Sequence, residues 1–377
     1  ACRMCVVKIE GREGLVTSCT VKIKEGMKVT AFDEDIDAAR KHTLDFLLAE
    51  HNDHYDGTYY DELIFLANKY DLDDPDFRSY PNIYRELGYP KDDTSSVLTY
   101  DGSKCIKCFR CIKACDEVQG KNVLSFSDRG ITSYIVAGID RWDKSECDGC
   151  GECIQLCPTG ALVEKPHRNE INVDKIEKKV RTTCPYCGVG CQILLYVLNG
   201  RIVRCDGVED VMPNDGRLCE KGRFGYDYVH CTERLTKPLI KKNGSFIEAS
   251  WDEALNLIAL KFREIKEKYG NHALAGFGSV KCTNEENYIF QKFIRLVFGN
   301  NNLDYCSQLE HAPGNTAMLK SLGWEAPTNS IQDFARTDCL FIIGNNMTET
   351  NPVTATFVKN GQKKGTKIIL CDPKWTK

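Results

Sequence analysis

The chain has no apolar run approaching the length of a membrane span; its strongest, residues 339 to 343, has the length of a buried strand. It has no surplus of positive charge either. Lys and Arg number 50 against 54 Asp and Glu, a formal net charge of -4 with the two signs interleaved, which argues against nucleic acid as a partner. The chain opens with neither a signal peptide nor a twin-arginine start, although Ala1 reads as the middle of a domain. No cysteine occurs between Cys19 and Cys105. Elsewhere cysteine is abundant: 21 residues, mostly in metal-ligand spacings, point to a reducing compartment, the cytoplasm by default, and away from a disulfide framework. An apolar share of 42% over 377 residues supplies sizeable cores for about two to four domains.

The cysteines repeat one pattern. Cys105, Cys108, Cys111 and Cys115 spell C-x2-C-x2-C-x3-C, and Cys147, Cys150, Cys153 and Cys157 spell it again. In two-cluster ferredoxins the triplet ligates one cubane and the fourth cysteine ligates the other. The spacing therefore assigns Cys105, Cys108, Cys111 and Cys157 to one 4Fe-4S cluster, and Cys147, Cys150, Cys153 and Cys115 to a second. Pro158 completes the ferredoxin signature, whereas Asp116 stands at the matching place after Cys115. A third group, Cys184, Cys187, Cys191 and Cys219, is a further 4Fe-4S candidate, with Gly188 and Gly190 expected to let its loop bend. Zinc is the alternative at all three, least so at the doubled motif. Cysteines 205, 231, 282, 306, 339 and 371 lie outside these spacings and read as buried free thiols.

Strands are expected at residues 6–9 and 21–23, helices at 33–49 and around Leu63 to Tyr70, then a polar linker at 91–96. The doubled motif reads as a compact insert organised by its metals. Short strands at 193–197 and 202–204 surround the third group. Beyond residue 240 the texture becomes α/β. Ser250 with Glu253 forms a capping box opening a helix toward Tyr269 and Gly270, a second helix spans 285–298, and residues 338–343, 353–363 and 366–370 read as strand, helix, strand. The loops at the carboxyl ends of those strands, 344–352 and 372–375, suit a nucleotide or pterin, with ordinary turn chemistry as the alternative.

Together these residues resemble the amino-terminal part of the NAD(P)-linked formate dehydrogenase α subunit, whose front end is shared with the large iron-sulfur subunit of complex I and with iron hydrogenases. The carrying motifs are Cys2-Arg-Met-Cys5 with Cys19, the doubled ferredoxin pattern, Cys184-Pro-Tyr-Cys187-Gly-Val-Gly-Cys191 with Cys219-Glu-Lys221-Gly, and Lys281-Cys-Thr-Asn-Glu-Glu-Asn-Tyr288. The resemblance implies an α+β multidomain chain. It comprises a partial β-grasp 2Fe-2S ferredoxin region (1–32), a helical segment (33–95), a two-cluster ferredoxin domain (96–178), a small β-rich 4Fe-4S domain (179–238) and a partial α/β domain of molybdopterin-oxidoreductase type (239–377). It implies a 2Fe-2S cluster on Cys2, Cys5 and Cys19, a cluster-proximal role for Lys221, and pterin-site positions at Glu310, His311, Asn345, Glu349 and Asp372.

Four departures shape the expected function. The 2Fe-2S spacing C-x2-C-x13-C lacks its fourth cysteine, as a chain beginning late would. The family's one-histidine, three-cysteine site falls on His51-Asn-Asp-His54-Tyr-Asp-Gly57 without thiols, so that cluster is expected to be absent, and His42, His51 and His54 read as solvated histidines. Glu310 occupies the place of the family's molybdenum-ligating selenocysteine or cysteine, and a carboxylate is a harder donor. The chain stops at Lys377, after the Cys371-Asp-Pro-Lys-Trp-Thr376 loop. The expectation is an iron-sulfur electron-transfer subunit with three 4Fe-4S clusters, one 2Fe-2S cluster, a vestigial catalytic domain and no functional molybdopterin. Its expected partners are a flavin- and NAD(P)-binding subunit, a small 2Fe-2S subunit and ferredoxin, in a hetero-oligomer such as a bifurcating transhydrogenase. The alternative is a fragment of an active formate dehydrogenase.

Overall fold

In the first thirty residues Val6, Val7 and Ile9 are buried and form the middle strand, Val6–Ile9, of a three-stranded antiparallel sheet. Its neighbours are Val16–Thr17 and Val29–Thr30. The strand expected at 21–23 does not form: that segment runs between the turn at Ser18–Thr20 and the Gly26 turn, and Ile23 meets no apolar surface and is 93% exposed. The computed structural model describes residues 2–50, 61–72, 88–165 and 175–376, and its contacts divide the chain into two units, 1–227 with 331–377, and 228–330.

Within the first unit, helix Glu34–Glu50 and helix Glu62–Lys69 pack Leu44 and Leu48 against Leu63 and Ala67, with Met4 and Ile106 at the edge. Asp61 caps the second helix, accepting from the amide of Leu63 at 2.8 Å. His42 is exposed, as expected of a solvated histidine, while His51 and His54 lie outside the described residues.

The insert carrying the doubled motif, expected to be organised by its metals, also has a protein scaffold of its own. Strand Leu98–Asp101 pairs with Leu162–Glu164 and Lys91–Asp92, and Leu124–Ser127 pairs with Tyr134–Ala137. Leu98, Leu124, Ile135, Trp142, Ile154 and Leu162 form a continuous buried core around the cysteine loops. Apolar burial of this kind is the main stabilising term in a small domain.

The third cysteine group sits on an antiparallel sheet in which Gln192–Leu198 runs between Lys178–Thr183 and Arg201–Gly207. The Lys178–Thr183 strand, Lys-Lys-Val-Arg-Thr-Thr, is too polar to be read from its pattern. Strands Cys339–Ile343 and Lys367–Cys371 are parallel and joined through helix Pro352–Lys363. That helix buries Val353, Phe357 and Val358, and the Asn360 amide donates to the carbonyl of Val118 at 3.1 Å. The strand expected to be fully buried at 339–343 is not: Phe341 is 60% and Ile343 64% exposed, because the pair presents one face that no element among the described residues covers.

The second unit contains hairpin Leu239–Lys242 with Ser245–Glu248, helix Trp251–Tyr269 opened by the Ser250/Glu253 capping box, and helix Asn284–Phe293. The latter has its own capping box, Thr283 with Glu286, and continues as the wider i→i+5 turn Ile294–Phe298 before Gly299. Its core joins Leu274, Ile294 and Phe298 to Phe262, Ile265, Phe290 and Leu303.

Candidate metal centres

The two C-x2-C-x2-C loops fold alike because each turns twice through the left-handed region. Lys107 and Phe109 have φ of 54° and 70°, and Gly149 and Gly151 have φ of 69° and 72°. Each loop then enters a one-turn helix, Arg110–Lys113 or Glu152–Gln155, which buries its third cysteine, Cys111 or Cys153. The fourth cysteine leaves its own triplet. Cys157 lines a cavity with Cys105, Cys108 and Cys111, while Cys115 lines another with Cys147, Cys150 and Cys153. The wider turn Ala114–Val118 displaces Cys115, and its Sγ accepts the amide of Val123 at 3.2 Å.

The thiols are held against their natural ionisation. Burial pushes Cys108 and Cys150 up to about 12, with smaller effects from neighbouring charges. Cys111 and Cys153 are raised too, first by burial and then by adjacent cysteines. Four such groups become thiolates only when cationic metal compensates their charge. Among the described residues no group of three or more His, Cys, Asp or Glu is arranged to hold a metal ion; the eight cysteines of the doubled motif line two cavities.

The linings offer partners as well as ligands. Tyr100 lines the first cavity, its hydroxyl accepting the amide of Ile135 at 3.1 Å. The second is lined by Lys121, paired with Asp148, and by Trp142, whose buried Nε1–H has no partner in the protein. An unpaired buried donor costs stability, and a cluster sulfur would accept it. The residues present fit 4Fe-4S groups.

In the third group Cys184 and Cys191 are buried, and the amide of Cys184 donates to the carbonyl of Cys191 at 2.8 Å. Burial raises the Cys184 thiol, assisted by Cys219 and Cys187 and opposed by Lys221. Gly190 has φ of 67°, as the bend required; Gly188 is absent from the left-handed set, so only one of the two glycines serves that purpose. A side chain at Gly222 would touch Cys184 Sγ at 3.5 Å. At the amino-terminal site Cys5 Sγ and Cys19 Sγ are 3.3 Å apart, and Cys2 adds charge repulsion to Cys19.

The expected pterin positions divide between the two units. Asn345, Glu349 and Asp372 follow the carboxyl ends of the two parallel strands, in the first unit. Lys221 Nζ donates to the carbonyl of Glu349 at 3.2 Å, joining the third cysteine group to that rim. Glu310 and His311 are exposed in the second unit, at the end of Ser307–Glu310.

Four family models match in chain order: a 2Fe-2S iron-sulfur cluster binding domain over residues 1–33, the ferredoxin-like domain of NADH-quinone oxidoreductase subunit 3 over 95–163, the molybdopterin oxidoreductase Fe4S4 domain over 177–231, and molybdopterin oxidoreductase over 234–377. A Bacillus subtilis (strain 168) protein named "Probable oxidoreductase YjgC" is 32% identical over 421 residues, 98% of this chain and 41% of its own length. The chain carries a molybdopterin oxidoreductase domain with its Fe4S4 domain and is similar over nearly its whole length to formate dehydrogenase-like oxidoreductases. A Staphylococcus aureus (strain N315) protein named for formate dehydrogenase is likewise 32% identical over 98% of the chain. The chain spans 41% of the length of these relatives. An NAD+-reducing [NiFe]-hydrogenase structure is 27% identical, with a TM-score of 0.36 over 44% of this chain and 69% of that one.

This formate dehydrogenase-like chain thus carries 2Fe-2S and Fe4S4 binding domains ahead of a molybdopterin oxidoreductase domain. No helix among the described residues is long and apolar enough to cross a membrane. The expectation of six buried free thiols holds only for Cys205, which donates to the carbonyl of Gly222; Cys231, Cys282, Cys306, Cys339 and Cys371 are exposed. Cysteine's usual preference for burial yields where a residue ends a half-covered strand, as Cys339 and Cys371 do. Sequence reasoning also missed the groups around the thiols. Lys113 donates to the carbonyl of Cys19 at 2.9 Å, Gln119 to Glu152 at 2.9 Å, and Arg223 to the carbonyl of Cys150 at 2.8 Å. The one available signal was spacing: Lys113 and Arg223 follow a motif cysteine by two and four residues.

Proposed function

We propose that this chain is an iron-sulfur electron-transfer subunit of a cytoplasmic, multi-subunit NAD(P)-linked oxidoreductase, in its finer form an electron-bifurcating ferredoxin/NAD(P) transhydrogenase. The observation that carries the reading is the crossed lining of two cavities, each by three cysteines of one loop and the fourth of the other. In this reading those residues hold two 4Fe-4S clusters, Cys184, Cys187, Cys191 and Cys219 a third, and Cys2, Cys5 and Cys19 a 2Fe-2S cluster. When bound, the clusters supply one-electron transfer. The protein's own groups fix their surroundings: thiols are kept dry, Lys121 places a cation beside the second site, and Lys113 ties the 2Fe-2S loop to the insert.

The molybdopterin oxidoreductase domain is vestigial in this reading, because Glu310 replaces a soft ligand by a hard one. The partners are a flavin- and NAD(P)-binding subunit, a small 2Fe-2S subunit and ferredoxin. The match of residues 234–377 to molybdopterin oxidoreductase favours a second reading, part of an active molybdopterin-dependent formate dehydrogenase with Glu310 ligating molybdenum. Iron, molybdenum and flavin analysis of the purified complex, with Glu310→Ala alongside, separates the two. Iron-replete, molybdenum-free protein whose electron transfer survives Glu310→Ala supports the wire. Stoichiometric molybdenum with formate oxidation lost in the variant overturns it.

A further inference from the structure

We propose that Arg223 is a positioning residue at the junction between the second ferredoxin site and the Cys184 site, carrying the electronic path and holding positive charge between them. This rests on the reading that both sites hold 4Fe-4S clusters.

Arg223 is 1% exposed, a rare burial for a guanidinium. It stands on helix Glu220–Phe224, directly after Cys219, and its amide donates to the carbonyl of Cys219 at 3.1 Å. From there the side chain reaches the other loop, where Nε donates to the carbonyl of Cys150 at 2.8 Å. Two hydrogen bonds and one extended side chain thus connect a ligand-position cysteine of one site to a ligand-position cysteine of the next. Electron tunnelling decays less steeply through bonds and short hydrogen bonds than through an empty gap, so this is the favoured route across the junction.

The surrounding residues are built around the crossing. A Cβ on Gly151 would lie 2.1 Å from Arg223 Cδ and 2.7 Å from Nε, so that position is vacant of side chain where Arg223 passes. The guanidinium also donates to Gln155 at 2.8 Å, Asp206 at 3.2 Å and Glu152 at 3.5 Å. Asp206 is shared with the partly buried Arg204 at 2.9 Å, so two cations, of which Arg223 is fully buried, face two carboxylates. The bond to Cys219 is the helix's own i→i−4 backbone bond, and the side chain alone makes the crossing to the backbone of the other ligand loop. The step itself is one electron passing between the two sites, one cluster oxidised by one unit and the other reduced by one, with no proton or further reactant.

The test uses the complex purified without oxygen, with iron and sulfide counts, potentiometric EPR, and freeze-quench EPR after mixing with reduced ferredoxin. Arg223→Met removes the charge and the path; the expected result is a fall of about tenfold in the reduced-to-oxidised ratio of both adjoining clusters at fixed potential, equivalent to about 59 mV. The double variant Arg223→Met/Glu152→Gln removes one charge of each sign, avoiding an uncompensated buried carboxylate. In it the potentials return toward the parent, while electron arrival at the far site is at least tenfold slower. Full iron with parental transfer in that variant overturns the proposal. Should it lose iron, Arg223→Lys decides: slower transfer at parental potential supports the path, and parental transfer overturns it. Failure of the underlying reading shows separately, as a parent complex with no EPR signal from a third 4Fe-4S cluster, and it removes this proposal with it.

Discussion

The two loops of the doubled motif share spacing and backbone path, yet they face different surroundings. Residues 107 and 109 are Lys and Phe held at positive φ, with Phe109 40% exposed and edge-on to Phe126 at 4.5 Å between centroids. Residues 149 and 151 follow the same path as glycines. There a Cβ would stand 3.1 Å from Val97 at position 149 and 2.1 Å from Arg223 at position 151. The left-handed turns therefore serve the cavity, and any residue able to bear about 1–2 kcal/mol of backbone strain can make them. Glycine is demanded only where another element packs against the loop. The difference marks the second loop as the one turned toward the third site.

The largest expected effect tests the crossing of the fourth cysteines. If Cys115 belongs with Cys153, then Cys115→Ser/Cys153→Ser loses one 4Fe-4S cluster, about four irons, while Cys115→Ser/Cys111→Ser loses both. Iron and sulfide analysis reads the result directly, and the opposite outcome would mean that each loop keeps its own four ligands.

A smaller effect sharpens the contrast between the loops. Gly151→Ala combines a positive φ with a clash against Arg223 and is expected to cost about 2–5 kcal/mol. Phe109→Gly, at the equivalent backbone position, should change stability by no more than about 1 kcal/mol, since relief of strain offsets the lost contact with Phe126. Anaerobic denaturant titration followed by cluster absorbance compares them, and equal losses would erase the distinction.

The smallest concerns acid. Asp101 anchors the first loop by accepting from the Ser103 amide at 3.0 Å, and Asp92 the second by accepting from the Trp142 amide at 3.2 Å. Burial raises both, but Lys91 and Ser103 for Asp101, and Thr94 and the Trp142 amide for Asp92, outweigh it and leave each below its ordinary value. A depressed carboxylate contributes stability that is fully present above the ordinary range, near pH ~4, and is lost as pH falls through its lowered value. Asp101→Asn and Asp92→Asn should each cost about 1 kcal/mol at neutral pH and flatten the decline below pH ~4. An unchanged acid profile in both variants would show that other groups govern it.

Much of this was legible because ligand spacing is local chemistry. Thiols two residues apart can wrap a cubane corner whatever surrounds them, and the Ser250/Glu253 box announces its helix from two hydrogen-bonding side chains three residues apart. What escaped the sequence is non-local. Strand 21–23 alternates correctly but meets nothing apolar, and Lys178–Thr183 is a strand because Gln192–Leu198 offers it a ladder. The exposure of Cys339 and Cys371 depends on which face of a two-stranded pair is covered.

By itself, the sequence determined which residues are candidate ligands, a candidate grouping for them, and the resemblance of each stretch to a redox domain, since cluster chemistry demands donors at fixed short intervals. Only the tertiary structure decided what lies between the groups. Arg223 on one helix and the carbonyl of Cys150 on another loop are 73 residues apart in the chain and 2.8 Å apart in space, and no local pattern encodes a buried charge whose partners come from elsewhere in the fold.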